Sequence, residues 1–265
     1  VNIFLREMKA HRKSLIIWSV GIVLLITSGM GEYSAVSSSG KTMNELVESM
    51  PRSIKAIMGV GTLDLSKASG YYGILFLYVS LIGAIHAVMT GCNIIAKEER
   101  DKTSEFLLVK PVSRKSIITS KLLATLVNLM IINTVTLVSS IYITGYYGKG
   151  EKMTGDIITL MMGLFLLQLL FMTIGTAIAA INRKPTKSIG LSTGILMFSF
   201  LLSIVIDMNG KIEPLKYLTP FKYFEAKNIM YGGGLDLFYV LISIGIATVL
   251  SVFTYCFYQQ RDINV

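Results

Sequence analysis

Six uninterrupted apolar stretches, each close to the length that crosses a bilayer, restrict this chain more than any other feature. They read Leu15 to about Met30, Tyr71 to Ile95, Leu122 to about Ile143, Ile157 to Ile181, Ile189 to about Ile206, and Leu237 to about Tyr258. Inside hydrocarbon, every backbone N–H and C=O needs a partner within the segment. For an apolar run of ~20 residues the helix meets that condition. The expected fold class is therefore all-α integral membrane, with six transmembrane helices in a single domain over residues 1–265. Composition agrees, since 15 % of the residues are charged, against about a quarter in a soluble domain.

The formal net charge of +9 does not point to nucleic acid, because the positive residues lie mostly beside the spans, where anionic lipid headgroups attract them. Six spans put both termini on one side. Lys and Arg number 15 in the terminal segments, the 97–121 stretch and the 182–188 turn, and 10 in the three remaining connections. The positive-inside rule thus predicts cytoplasmic termini and a cytoplasmic 97–121 stretch. Residues 2–13 carry Arg6, Lys9 and Arg12 at three-residue spacing among Ile3, Phe4, Leu5 and Met8. That pattern predicts an N-terminal interfacial helix over residues 1–14, and nothing there has the pattern of a cleaved signal peptide. Cys92 and Cys256 fall near the same side of the membrane, a reducing one, and are expected as free thiols.

On the other side, the 31–70 loop contains a Thr42/Glu45 capping box, followed by Leu46, Val47, Met50, Ile54, Ile57 and Met58 at helical spacing, interrupted by Pro51. These predict an amphipathic helix lying against the spans. The 207–234 segment holds Pro214 and Pro220 with Tyr217, Phe221, Tyr223, Phe224 and Tyr231. Such aromatic density predicts an outer interfacial or re-entrant segment.

Candidate chemistry within the spans is sparse. Ala35 to Thr42, AVSSSGKT, matches a relaxed phosphate-binding loop. It follows a membrane helix and begins with alanine, without the preceding strand that such a loop needs, so it does not read as an ATP site. His11 and His86 form no metal-ligand pattern, and a neutral His86 bonding across helices accounts for it as well as function does. The spans contain no carboxylate or lysine that reads as buried. Proton- and ion-coupled carriers place such groups inside the bundle, so the reading goes against self-powered transport. Asn93, Asn128, Asn133 and Gln168 read as helix-joining groups, and Gly175 with Ala179 as a close-packing pair.

Lys97 to Lys121, KEERDKTSEFLLVKPVSRKSIITSK, is the longest charged segment, with seven Lys/Arg and four Asp/Glu, and is expected to sit in water. A short helical run over Thr103–Val109 ends at Pro111, which lacks the donor a continuing helix needs. Ser113 then caps a second helix leading into the third span. Phe106, Leu107, Leu108 and Val109 are apolar amid mixed charges, which orientation alone does not require. The result is a compact protrusion suited to docking.

Glu99, Thr103, Glu105, Leu107, Leu108, Pro111, Ser113 and Arg114, with Lys121 beyond, closely resemble the signature of the ABC transporter type-2 permease family, roughly E-x-x-G-T-x-E-x-L-L-x-x-P-x-S-R and a lysine before the third span. Lys102 departs from it, standing where glycine is usual. Met50-Pro51 and Leu218-Thr219-Pro220-Phe221-Lys222-Tyr223-Phe224 also agree, so the resemblance spans essentially the whole chain. It implies the permease subunit of an exporter in a bacterial-type plasma membrane, without enzymatic activity or a bound cofactor of its own. ATP and Mg would sit on a partner ABC ATPase subunit, and a second permease subunit, identical or different, would complete the pathway. The 97–121 protrusion would be the coupling helix region, with Phe106, Leu107 and Leu108 entering a groove on the ATPase and Glu99, Glu105 and Arg114 holding the geometry. The implied substrate is an antibiotic, antimicrobial peptide or lipid-like molecule. Two rivals are a non-transporting membrane anchor or sensor that recruits an ATPase, and a membrane-embedded enzyme. The latter would need convergent acid, base or metal groups, none of which is legible.

Overall fold

The computed structural model describes residues 2–38, 50–60, 63–101, 113–148, 150–182 and 184–260. Those residues are almost wholly helical. In chain order the α-helices are α1 (Ile3–Ser38), α2 (Arg52–Met58), α3 (Ala68–Arg100), α4 (Arg114–Tyr147), α5 (Thr154–Ile181), α6 (Pro185–Met208), α7 (Ala226–Tyr231) and α8 (Leu237–Gln260). All but α2 and α7 are long and apolar enough to cross a membrane, which makes six candidate spans among the described residues. They coincide with the six apolar stretches of the sequence.

The helix ends follow local chemistry. Ser113 caps α4, its Oγ accepting from the Ser116 N–H at 3.2 Å. Pro185 opens α6 at a position where its missing donor has no helical partner to lose. Pro51 precedes α2, which carries the part of the expected amphipathic helix that falls within the described residues; Thr42, Glu45, Leu46 and Val47 lie outside them. Gly59 closes α2 at φ 70°, a left-handed conformation that a side chain would strain.

The interfacial helix expected over residues 1–14 is not a separate element. Residues 3–14 form the first turns of α1, which continues to Ser38 without a break. Ala35–Ser38 form the last turn of that helix. The start of the phosphate-loop-like stretch therefore lies at a helix C-terminus, whose dipole disfavours anions.

The bundle is centred on α3 and α5. In the most apolar part of each, 61 % of residues are buried, against 17 % in α1 and α8. The central pair is thus surrounded by protein, while α1 and α8 present apolar surface outward. The α3–α5 seam is close because it is lined by small residues. A Cβ on Gly175 of α5 would lie 2.5 Å from the Val88 carbonyl of α3, and one on Gly91 of α3 would collide with the Met172 carbonyl of α5. Ala179 is fully buried one turn beyond Gly175, so the expected close-packing pair does face a neighbouring helix. Tyr72, Phe76, Leu129, Ile132 and Phe171 fill the core around this seam.

Within the bundle, Tyr72 Oη donates to Ser140 Oγ at 2.7 Å, and Asn133 Nδ2 donates to the Met161 carbonyl at 3.1 Å. Both bonds join helices. His86 corrects the expectation of a cross-helix bond, since its Nε2 pairs with Thr90 of its own helix at 3.2 Å. Its ring meets Trp18 of α1 edge-on, at 5.5 Å between centroids. Cys92 is buried and Cys256 exposed, both as free thiols.

The 207–234 segment forms a 3-10 helix over Gly210–Leu218, a second over Pro220–Lys222, and α7. Phe221 lies 5.3 Å from both Phe171 and Phe200, and Tyr223 stacks on Tyr239 at 4.8 Å. Three of its five aromatics, Phe221, Tyr223 and Phe224, are buried, while Tyr217 and Tyr231 stay exposed. The segment thus packs on the end of the bundle opposite residues 97–121.

Candidate functional site

The end of the bundle that carries the 97–121 stretch is built around charges buried between helices. In α4, Ile117, Ile118, Lys121, Ala124 and Thr125 recur at helical spacing and all are buried. Lys121 therefore belongs to the inward stripe, despite its charge. In α3, Ile94, Ile95 and Glu98 do the same. In the first turns of α1 the inward residues are Ile3 and Glu7. Helical period puts Glu7, Glu98 and Lys121 on the inward faces of their helices, and the packing of α1, α3 and α4 brings them to one place.

Their pairing is dense. Lys121 Nζ donates to Glu98 Oε2 and, at 2.7 Å, to the Ile94 carbonyl. Lys97 Nζ donates to Glu7 Oε2. Arg6 reaches both carboxylates, at 3.3 Å to Glu7 and 3.5 Å to Glu98. Lys121 and Glu7 are fully buried and Glu98 is 8 % exposed at its side chain, so each would be costly alone. Each carboxylate instead has two cations, and the chain of contacts ties α1, α3 and α4 together.

This corrects one expectation. The 97–121 stretch does not lie wholly in water, because Glu98 and Lys121 near its ends are packed inside the protein. The six apolar stretches themselves contain no buried carboxylate or lysine among the described residues; Glu7, Glu98 and Lys121 stand just outside them in the same helices. A signal was present. Glu7 is the one acidic residue in the basic 2–13 segment, and Glu98 and Lys121 are in phase with their apolar neighbours. The charges form closed ion pairs at the end of the bundle, which is a bracing arrangement.

Of the residues expected to serve docking, Glu99 lies half-buried in the last turn of α3. Ser113 caps α4, and Arg114 Nη1 donates to the Gln259 carbonyl at 2.9 Å, fastening the start of α4 to the end of α8. Thr119 and Tyr255 add a hydroxyl pair at 2.8 Å along the same contact. Thr103, Glu105, Phe106, Leu107, Leu108 and Pro111 lie outside the described residues. Among the described residues, no group of His, Cys, Asp or Glu is arranged to hold a metal ion.

At the opposite end, Asp207, Lys222, Glu225 and Lys227 form a second charged group. Lys222 Nζ lies 2.6 Å from Asp207 Oδ1 and pairs with Glu225, and Lys227 Nζ lies 3.1 Å from both carboxylates. Burial works to lower the Lys227 pKa, but Glu225 and Asp207 outweigh it and hold the ammonium above the ordinary lysine range.

A comparison with curated proteins finds no match. A family model described as ABC-2 family transporter protein matches residues 1–263. Together with six membrane-spanning helices, this makes the chain a multi-pass membrane protein of the kind that forms the transmembrane part of an ABC transporter. The chain belongs to the ABC-2 family of transporter proteins.

Proposed function

We propose that this chain is the permease subunit of an ATP-driven exporter, with residues 97–121 docking on a separate ATPase subunit and cytoplasmic termini beside them. The observation that carries this reading is the ionic brace at the base of that stretch. Glu98 near its start and Lys121 at its end are paired inside the protein, and Arg6 and Glu7 add α1 to the same network. A docking element mounted on helices locked in this way transmits displacement to α3 and α4 instead of flexing at its root. Closure of an ATPase pair would then bias the bundle between two arrangements, provided the docked contacts differ between them. Phe106, Leu107 and Leu108 are the contact residues on this reading, and Glu99, Thr103, Glu105, Pro111, Ser113 and Arg114 shape the element.

A second permease subunit completes the pathway, and the cargo is an amphipathic antibiotic, peptide or lipid-like molecule. The outward apolar surface of α1 and α8 supports an arrangement in which such cargo moves between subunit faces and lipid. ATP and Mg belong to the partner.

The test is capture of the tagged protein from mild detergent, wild type beside Leu107→Asp/Leu108→Asp, with the co-purifying protein identified by mass and assayed for ATP hydrolysis. Wild type is expected to retain an ATPase. The double variant, with an unchanged thermal transition, is expected to lose it. Absence of an ATPase from both preparations across several detergents overturns the docking role. ATP hydrolysis that no amphipathic compound alters would instead favour a non-transporting anchor.

A further inference from the structure

The opposite end of the bundle contains a cavity of about 300 Å³ between α2, α3, α6 and the 221–227 segment. That volume is at the small end of ligand pockets, which span ~300–1,000 Å³. Its walls divide by chemistry. Phe76, Leu77, Leu167, Phe221 and Phe224 form an apolar part, and Lys55, Asp207, Glu225 and Lys227 a charged part. The aromatic wall is held from behind, because Phe221 is wedged between Phe171 and Phe200.

The charged part has unused bonding capacity. Lys222 and Glu225 are its buried half, with side chains 6 % and 16 % exposed, whereas Asp207 and Lys227 are 31 % and 30 % exposed. Lys227 uses two of its three N–H donors, on Asp207 Oδ1 and Glu225 Oε2. Asp207 meets both ammonium groups through Oδ1, which leaves the lone pairs of Oδ2. A free donor and a free acceptor thus stand side by side at the edge of an apolar hollow. An anion alone would meet Asp207 and Glu225, and a cation alone would meet Lys55, Lys222 and Lys227. A head bearing both charges satisfies both sides without changing the net charge of the group.

We infer that this cavity is a binding site for a small zwitterionic amphiphile. Its ammonium donates to Asp207, its anionic group accepts from Lys227, and one short apolar arm enters the space lined by Phe76, Phe221 and Phe224. The same chemistry belongs to a free amino-acid-like molecule and to the headgroup of a lipid with a primary ammonium. The site stands independently of ATPase docking, since it lies at the other end of the bundle and needs no partner.

The experiment is calorimetric titration of the full chain in nanodiscs of phosphatidylglycerol, using 2-aminooctanoate as probe beside octanoate and heptylamine. These share a comparable apolar arm and carry both charges, the negative alone or the positive alone. Saturable binding of the zwitterion is expected, with octanoate and heptylamine each weaker by about tenfold or more, as the loss of one charge-assisted hydrogen bond predicts. Asp207→Asn and Lys227→Gln are expected to bring the zwitterion down to the same level. A repeat in discs containing phosphatidylethanolamine separates the sources. Suppressed binding assigns the site to a lipid headgroup, and unchanged binding assigns it to a soluble molecule. Equal binding of all three probes, or none of the zwitterion, overturns the inference even if a variant fails to fold, because that comparison uses wild type alone. The ATPase plays no part, so this failure and failure of the docking reading are separate results.

Discussion

Lys121 of α4 and Glu98 of α3 form a buried ion pair, and the same ammonium donates to the Ile94 carbonyl at 2.7 Å. The lysine thereby meets both a side chain and the backbone of the helix that precedes residues 97–121. Among the described residues, removing it leaves Glu98 with Arg6 at 3.5 Å as its remaining cation partner. Lys121→Met is expected to destabilise the protein by about 3–5 kcal/mol, the usual cost of orphaning one member of a buried pair. Lys121→Met combined with Glu98→Leu is expected to recover most of the loss, because the charge left behind is then gone. Thermal unfolding in detergent of the two single variants and the double variant measures the coupling. Strict additivity would show that the pair does not act as a unit.

Two glycines should respond to alanine with opposite signs. A Cβ on Gly175 would lie 2.5 Å from the Val88 carbonyl and 3.0 Å from the Cys92 nitrogen, backbone atoms that move only if α3 and α5 separate. Gly175→Ala is expected to lower stability by about 1–3 kcal/mol through overpacking. Gly190 of α6 has nothing within 4 Å of the same position. Gly190→Ala is expected to raise stability by about 0.5–1 kcal/mol, through the conformational entropy glycine loses in a helix. Melting temperatures of the two variants beside wild type check the contrast.

Tyr72 and Ser140 are both buried, and their 2.7 Å hydrogen bond joins α3 to α4. Tyr72→Phe keeps the ring and removes the donor, with an expected cost of about 1–2 kcal/mol. The double variant Tyr72→Phe/Ser140→Ala is expected to be no worse than the worse single change, since neither polar group is left alone. A double-mutant cycle on unfolding midpoints decides it.

The Lys227 ammonium supplies a pH prediction. Its pKa in the folded protein stands above the ordinary 10.5, because Glu225 and Asp207 outweigh burial. A raised pKa contributes stability that is fully present below the unfolded value and is lost as pH rises through the folded one. Unfolding midpoints are expected to fall above about pH 10.5, and to fall less steeply in Lys227→Met. Parallel curves for the two proteins would remove Lys227 from the account.

The six spans were legible because their constraint is local. An apolar run of that length has one way to satisfy its own backbone in lipid, whatever its neighbours do. The cap at Ser113 and the helix start at Pro185 follow from the residues beside them for the same reason. Burial follows a residue's phase in its helix and not its type. Lys121 and Glu98 belong to a charged stretch, yet each lies in register with buried isoleucines. Residues 3–14 are polar, yet Glu7 is buried with cation partners on α1 and α3, and α1 runs on without a break.

Sequence by itself determined the membrane class, the number of spans, the small-residue character of the helix that carries Gly175, and the family resemblance centred on residues 99–121. Tertiary structure alone decided which charges are solvated and which are buried in pairs. It also decided which helices form the centre, and that Asp207 and Lys227, twenty residues apart, share the edge of one cavity. The physical reason is that helix formation depends on neighbours in the chain. The cost of burying a charge depends on partners that the chain supplies from far away, as Lys121 does for Glu98 and Arg6 for both carboxylates.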